Sequence, residues 1–144
     1  MTRIIIILLI SILSLLSCAS HKQTQSSGIR LTVNTPNIKN NGGTLYYNLY
    51  NSKENFDKKI PFQSKSIEVK NNKATVVFKN VPQGTYAISC FYDTNNNQQL
   101  DFEGYIPTED FGVSNNPQLF APPSFEQLQF EIHKEDKELM INLQ

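Results

Sequence analysis

The stretch that most limits the fold is a turn followed at once by a strand and then by a polar loop. The turn is Val81-Pro82-Gln83-Gly84, in which proline fixes φ and glycine permits a positive φ. Residues 85–92 follow and are rich in the aromatic and β-branched side chains that favour a strand. Residues 93–101 read DTNNNQQLD and place a carbonyl or carboxylate side chain at every second position. This order of turn, strand and polar loop is typical of a β-sheet domain.

The rest of the chain also predicts β structure and contains no convincing helix. Seven segments alternate between apolar and polar residues or are rich in strand-forming residues: 29–35, 44–50, 66–70, 74–79, 85–92, 128–133 and 139–143. Asn71-Asn72-Lys73 predicts a hairpin between two of them, since asparagine tolerates left-handed backbone. Residues 51–63 are a polar connection with room for one short turn around Phe56. We therefore predict an all-β fold, an antiparallel β-sandwich of about seven strands of the immunoglobulin or transthyretin-like kind.

The N-terminus indicates export. Arg3 precedes an apolar run at 4–16, which is shorter than the roughly 20 residues that a membrane-spanning helix needs, so residues 1–17 fit a signal peptide. The run ends in Leu15-Leu16-Ser17-Cys18-Ala19, which resembles the bacterial lipoprotein cleavage motif. The resemblance implies that Cys18 becomes the first residue and carries acyl chains. An ordinary signal peptide with a coincidental cysteine and an uncleaved anchor are the alternatives.

The lipoprotein interpretation divides the chain into three parts. Residues 1–17 are the signal peptide, 18–28 are the acylated cysteine and a polar tether, and 29–144 are the sandwich. Two or more acyl chains hold a protein on a bilayer almost permanently. Ala19 stands where an aspartate would indicate inner-membrane retention. We therefore expect a lipid-anchored protein of the cell envelope, on the outer membrane where the cell has one.

The charge and cysteine content of the chain limit the partners and crosslinks that we expect. Without residues 1–17 the chain has 144 − 17 = 127 residues, which suits one domain, and 12 Lys plus Arg against 13 Asp plus Glu. A net charge of about −1 gives no electrostatic basis for nucleic-acid binding. If Cys18 is acylated, Cys90 has no disulfide partner, and its place within a strand predicts a buried hydrophobic role.

The polar loop is a candidate calcium site. Its alternate positions match places 1, 3, 5, 7 and 9 of a calcium loop and are occupied by Asp93, Asn95, Asn97, Gln99 and Asp101. Two positions depart from that pattern, because Gln98 stands where glycine is expected and Gly104 where a bidentate glutamate is expected. The alternative is a loop in which Asp and Asn side chains cap their own backbone, and both interpretations stand.

Two sets of motifs resemble known families. The segment 78–86, FKNVPQGTY, resembles the F-x-x-V-P-x-G-x-Y unit of carboxypeptidase-regulatory-like sandwiches. The chain from about residue 29 to its end resembles the bacterial domain-of-unknown-function family 2141, through GTYAI at 84–88, FYDTNNN at 91–97, LD at 100–101, and Gly104, Pro107, Glu109, Gly112, Ser114 and Asn115. Tyr92 and Gln98 replace the family's usual histidine and glycine. The resemblance implies a secreted or envelope β-sandwich and no known activity.

Two functional hypotheses remain. The first is a non-catalytic envelope module that binds a protein or a glycan through its loops, with Ca²⁺ as its single candidate cofactor. The second is a small envelope enzyme that uses Asp93, Asp101 and Glu109, which would need a shaped cleft. We favour the first, since the common nucleophile, zinc and phosphate-loop motifs are absent from the sequence. A cluster formed by Tyr46, Tyr50, Tyr92 and Tyr105 would indicate ligand or glycan binding.

Overall fold

A computed structural model describes residues 28–144, so the predicted signal peptide, the acylation at Cys18 and the tether up to residue 27 lie outside the described residues. The strands are β1 Ile29–Thr35, β2 Thr44–Tyr50, β3 Gln63–Glu68, β4 Ala74–Val81, β5 Gly84–Asp93, β6 Phe102–Glu103, β7 Ile106–Pro107, β8 Phe111–Val113, β9 Phe130–Ile132 and β10 Lys137–Met140. The helices are α1 Lys53–Asp57 and α2 Phe125–Leu128.

The two main sheets confirm the predicted all-β sandwich. The smaller has the order β10-β1-β4, and the larger has the order β3-β2-β5-β8 with β9 also paired to β5. Strand β5 is central, because it pairs with β2 on one side and with β9 and then β8 on the other. One pairing departs from the antiparallel prediction, since β1 and β10 run parallel.

The main core follows from the alternation of the strands. Leu45, Tyr47 and Leu49 alternate along β2 and so share one face of it, and all three are fully buried. Within this core the Tyr47 hydroxyl donates to Thr35 Oγ1 at 2.8 Å, and burial raises the pKa of that tyrosine. Cys90 is buried as expected, and burial raises the pKa of its thiol to about 12.

A second hydrophobic cluster covers part of the outer face of the larger sheet. It joins Tyr50, Ala87 and Val113 to Phe125 and Leu128 of α2. Helix α2 was not predicted, and as a result Leu128 was assigned to a strand that begins only at Phe130. The signal was present as a capping box, because the Ser124 N–H donates to Gln127 Oε1 at 2.9 Å. Helix α1 contains Phe56, where a short turn was expected.

The predicted hairpin around Asn71 and Asn72 is reduced to a turn with one antiparallel bridge, between Lys70 and Lys73. β3 pairs with β2 and β4 pairs with β1, so the chain crosses here from one sheet to the other. Both asparagines have a positive φ, +53° and +56°, as their residue type predicted. Seven of the ten strands correspond to predicted segments, and the additional strands β6, β7 and β8 lie in 102–113, where no strand was predicted.

The sandwich has two poles. We call the loop pole the end formed by residues 36–43, 69–73 and 94–110, since β2 pairs Thr44 with Asp93 there. The N-terminal pole contains Gly28, the turn between β4 and β5, and residues 58–62. Gly28 lies directly against Asn80, because a Cβ added to this glycine would stand 2.5 Å from the Asn80 Cα. Between residues 28 and 144, no helix is long and apolar enough to cross a membrane.

Candidate functional site

The buried side chain of Asp93 holds the backbone of the polar loop in place. It is the last residue of β5 and is fully buried. Its Oδ1 accepts the Asn96 N–H at 2.6 Å, and its Oδ2 accepts the Gln98 N–H at 2.8 Å. Both of those residues have a φ of +63°. The carboxylate therefore holds two turns of left-handed backbone beneath the loop, because charge-assisted hydrogen bonds are stronger than neutral ones.

Three of the other predicted ligands converge above Asp93. The Asn95 Nδ2 donates to Asp101 Oδ2 at 2.6 Å, and the Asn97 Nδ2 donates to Asp101 Oδ1 at 2.8 Å. The amide oxygens of the two asparagines accept the N–H groups of Asn97 and Gln99 at 3.0 and 2.8 Å. Gln99 thus enters this network through its backbone. These contacts form successive Asx turns, the arrangement expected of a self-capping loop.

Glu109 closes the loop from outside it. The side chain is 9% exposed, its Oε1 accepts the Thr94 N–H at 2.9 Å, and its Oε2 lies 3.4 Å from the Asp101 N–H that it accepts. One carboxylate therefore joins the start of the loop to its end. The sequence indicated Glu109 as a motif residue and a candidate catalytic acid, not as a backbone acceptor, because no local pattern shows partners that lie 15 and 8 residues away.

The backbone conformation of this loop resembles that of a calcium loop, but the loop has few carboxylates to bind a cation. Gln98 adopts the left-handed conformation that glycine normally supplies at the sixth position of a calcium loop. Of the two predicted carboxylate ligands, Asp93 accepts backbone N–H groups. Asp101 is therefore the one carboxylate among the predicted ligands that faces the side-chain amides of Asn95 and Asn97. Within the described span, no three His, Cys, Asp or Glu side chains are grouped closely enough to hold a metal.

A projecting hairpin follows the loop. Strands β6 and β7 pair, and Gly104 turns the chain between them with a φ of +63°. Phe102, Tyr105 and Ile106 expose 55%, 99% and 72% of their surfaces. The hairpin is fixed at its start, since the Thr108 N–H donates to the Asp101 carbonyl oxygen at 2.9 Å. Large apolar side chains grouped on a supported surface segment are typical of a binding site.

The hairpin stands in an acidic part of the chain. Residues 80–133 contain seven Asp plus Glu and no Lys or Arg, and five of those acids fall within 93–110. At the loop pole, Lys39 forms an ion pair with Asp110 at 3.2 Å. Glu103, within the hairpin itself, is exposed. Asp93 and Glu109 are buried and Asp110 is paired, so the negative charge beside the three apolar side chains comes from Glu103 and Asp101.

The four tyrosines do not form a shared surface. Tyr46 stacks on Phe91 with ring centroids 5.1 Å apart and planes 13° from parallel, so each ring covers one face of the other. Tyr50 and Tyr92 are buried, and Tyr105 is at the hairpin tip. The Tyr92 hydroxyl donates to the Gly42 carbonyl oxygen at 2.6 Å. Burial, and next the nearby Asp110 charge, raise the pKa of Tyr92.

A family model described as an uncharacterised protein conserved in bacteria (DUF2141) matches residues 33–140. The chain belongs to the DUF2141 family. The match covers the two sheets, the loop and the hairpin, and it confirms the resemblance seen in the sequence. No curated protein and no solved structure matches the chain.

The downstream DUF2141 motif holds backbone segments together. Ser114 is buried, its Oγ donates to the Leu128 carbonyl oxygen at 2.6 Å, and it accepts the Ile88 N–H at 3.0 Å. These bonds fill the gap on β5 between β8 and β9. At Gly112 an added Cβ would stand 2.7 Å from Ile141 Cγ2, so glycine permits the C-terminal segment to pack on β8. Together with Asp93 and Glu109, these motif residues form a structural network of contacts. The hairpin is the most exposed segment that this network supports.

Proposed function

We propose that this DUF2141 chain is a non-catalytic, lipid-anchored module of the cell envelope that binds a partner protein through its loop pole. The observation that carries the proposal is the hairpin, on which Phe102, Tyr105 and Ile106 are exposed to water while the residues beneath them are fixed by hydrogen bonds. Aromatic and aliphatic side chains of this kind are the usual anchors of protein interfaces. The acidic surroundings favour a partner whose apolar pocket is bordered by Lys or Arg.

A protein partner suits this surface better than a glycan. Sugar rings pack on flat, open aromatic faces, whereas Tyr46 and Phe91 each have one face covered by the other. The exposed tyrosine, Tyr105, stands at the tip of a two-stranded hairpin, beside apolar neighbours. Such a tip is shaped to insert into a pocket on another protein.

Site-specific photocrosslinking in cells tests the partner. A photoreactive phenylalanine analogue at Tyr105 is expected to give one discrete protein adduct, which the double variant Phe102→Ser/Ile106→Ser should remove. The matched control places the same analogue at Phe120, which is 90% exposed on the loop before α2. Adducts of equal yield from both positions, or none from Tyr105, would contradict the proposal.

The anchor forms part of the same proposal. The lipoprotein-like motif ending at Cys18 supports acylation there, and the described domain begins only ten residues later. Cys18→Ala should release the chain from the membrane fraction. Retention of that variant in the membrane fraction through a high-salt wash would show that another segment attaches the chain. The hairpin proposal would be unaffected, because the photocrosslinking experiment tests it separately.

The alternative, a small enzyme that uses Asp93, Asp101 and Glu109, has less support. Asp93 and Glu109 are buried, and both use their oxygens to accept backbone N–H groups. Carboxylates engaged in this way are occupied by structural hydrogen bonds, whereas catalytic acids need access to a substrate. The contacts of these residues therefore favour a structural role.

Weak calcium binding is a second proposal for the loop. Its support is the left-handed backbone at Gln98 together with the nearness of Asn95 and Asn97 to Asp101, which they contact through their amide nitrogens. A bound ion would take the amide and carboxylate oxygens as ligands, since each oxygen has a second lone pair. The calcium-dependent melt described in the Discussion tests this proposal.

A further inference from the structure

The N-terminal pole carries its own exposed apolar side chains. Ile60 and Phe62 expose 56% and 39% of their surfaces. Both are held by backbone hydrogen bonds, from the Ile60 N–H to the Asn55 carbonyl oxygen at 2.9 Å and from the Phe62 N–H to the Leu49 carbonyl oxygen at 2.8 Å. Their positions are therefore fixed features of the fold.

Three lysines lie near these two side chains, as do the acids Glu54 and Asp57 of α1. Lys58 and Lys59 precede Ile60, and Lys79 is close by, because its carbonyl oxygen accepts from Gln63 Nε2 at 3.2 Å. Lys58 pairs with Glu54 at 2.6 Å. Among residues 28–144, neither Lys59 nor Lys79 forms an ion pair. We call residues 58–62 together with Lys79 the basic apolar patch.

The patch lies where the chain enters the domain. Gly28 contacts Asn80, the neighbour of Lys79, and Arg30 in the next part of β1 is neutralised by Asp136 at 2.7 Å. From Cys18 to Gly28 there are ten residue steps, which span at most about 35 Å. The ten residues of β5 separate the two poles by roughly 30 Å. A chain anchored through Cys18 therefore presents this pole to the bilayer more readily than the loop pole.

We infer that the basic apolar patch rests on the anionic lipid headgroups of the membrane that anchors the chain. The inference depends on the anchor proposed at Cys18 for its orientation. Lysines attract anionic lipid, and apolar side chains such as Ile60 and Phe62 enter the interfacial layer beside them. With this pole on the lipid, the hairpin of the opposite pole points away from the membrane toward its partner.

Binding to vesicles tests the patch without the acyl chains. The sample is the lipid-free chain 18–144 carrying Cys18→Ser, which contains both hydrophobic clusters and every described strand. It should co-sediment with vesicles of phosphatidylcholine mixed with phosphatidylglycerol, bind less to phosphatidylcholine alone, and dissociate as salt is raised. Ile60→Ser/Phe62→Ser should weaken binding by roughly tenfold or more. Lys59→Gln and Lys79→Gln should each weaken it about fivefold.

The matched control is Phe102→Ser/Ile106→Ser, which removes similar exposed side chains from the loop pole and should leave vesicle binding unchanged. Absence of binding to anionic vesicles, or equal loss in the two double variants, would overturn the inference. So would light scattering that shows a dimer broken by the patch variant, since the patch would then contact a second copy. Membrane fractionation of Cys18→Ala tests the anchor separately, so the two failures are distinguishable.

Discussion

The two poles of the sandwich both display apolar side chains, but they support them in different ways. At the loop pole, the hairpin is held by carboxylates, because Asp93 and Glu109 accept backbone N–H groups from the loop beside it. At the N-terminal pole, Ile60 and Phe62 are held by main-chain bonds to the end of a strand and the helix after it. Buried charge is thus required at one pole and not at the other.

The charge of the surroundings differs as well. Residues 93–110 contain five acids and no Lys or Arg, although Asp93 and Glu109 are buried, whereas Lys58 and Lys59 directly precede Ile60. In a chain whose formal charges balance overall, this separation gives each pole its own electrostatic preference. The comparison teaches that net charge describes such a molecule poorly. In our proposals, the acidic pole meets a basic protein surface and the basic pole meets anionic lipid.

The largest effect should come from removing the buried carboxylate. Asp93→Ala leaves the N–H groups of Asn96 and Gln98 without their acceptor, so we expect a loss of about 2–4 kcal/mol in the free energy of unfolding, measured with urea. The control is Asp101→Ala, which removes an acceptor from exposed amides and should cost less than about 1 kcal/mol. If Asp93→Ala lowered the free energy of unfolding no more than Asp101→Ala does, the loop pole would not depend specially on the buried Asp93.

At the N-terminal pole, replacing the glycine of the turn between β4 and β5 should lower the stability of the domain. Gly84 has a φ of +156°, a positive value as predicted, which side-chain-bearing residues rarely adopt. Gly84→Val should therefore lower the free energy of unfolding by roughly 1–3 kcal/mol. An added Cβ would meet the Tyr86 ring at an ordinary 3.4 Å, so this cost reports backbone strain. Gln83→Val on the same turn should stay within about 0.5 kcal/mol, and a Gly84→Val variant as stable as the parent would refute the strain.

Calcium should produce the smallest effect, and only at the loop pole. With a dissociation constant of about 0.3 mM, roughly 2 mM calcium adds about 1.2 kcal/mol of stability, which is a melting shift of about 3–6 °C. Magnesium should do less, because it demands octahedral geometry and sheds water reluctantly. Asp101→Asn should abolish the shift, while Glu103→Gln, an exposed neighbouring acid, should retain it. The same melting temperature in chelator and in calcium would leave the loop as a self-capped structure.

The strands and their inward faces could be predicted from the sequence, because alternation of side chains is a local property. β1 and β2 have their predicted limits, and the turn chemistry predicted the positive φ of Asn71, Asn72 and Gly84. The family was also recognisable from short motifs. Helix α2 was missed although its Ser124 to Gln127 capping box is local, since the alternation from Leu128 onward was given more weight.

The pairing of the strands and the role of the motif acids depend on contacts between distant parts of the chain. Nothing local shows that β3 and β4 belong to different sheets, or that β10 runs parallel to β1. The residues predict a strand that ends in Asp93 and a loop of Asp and Asn, but calcium ligands and backbone caps have the same residue types. Burial separated them at Asp93, because a carboxylate removed from water must take the hydrogen-bond donors within its reach, and here those are backbone N–H groups.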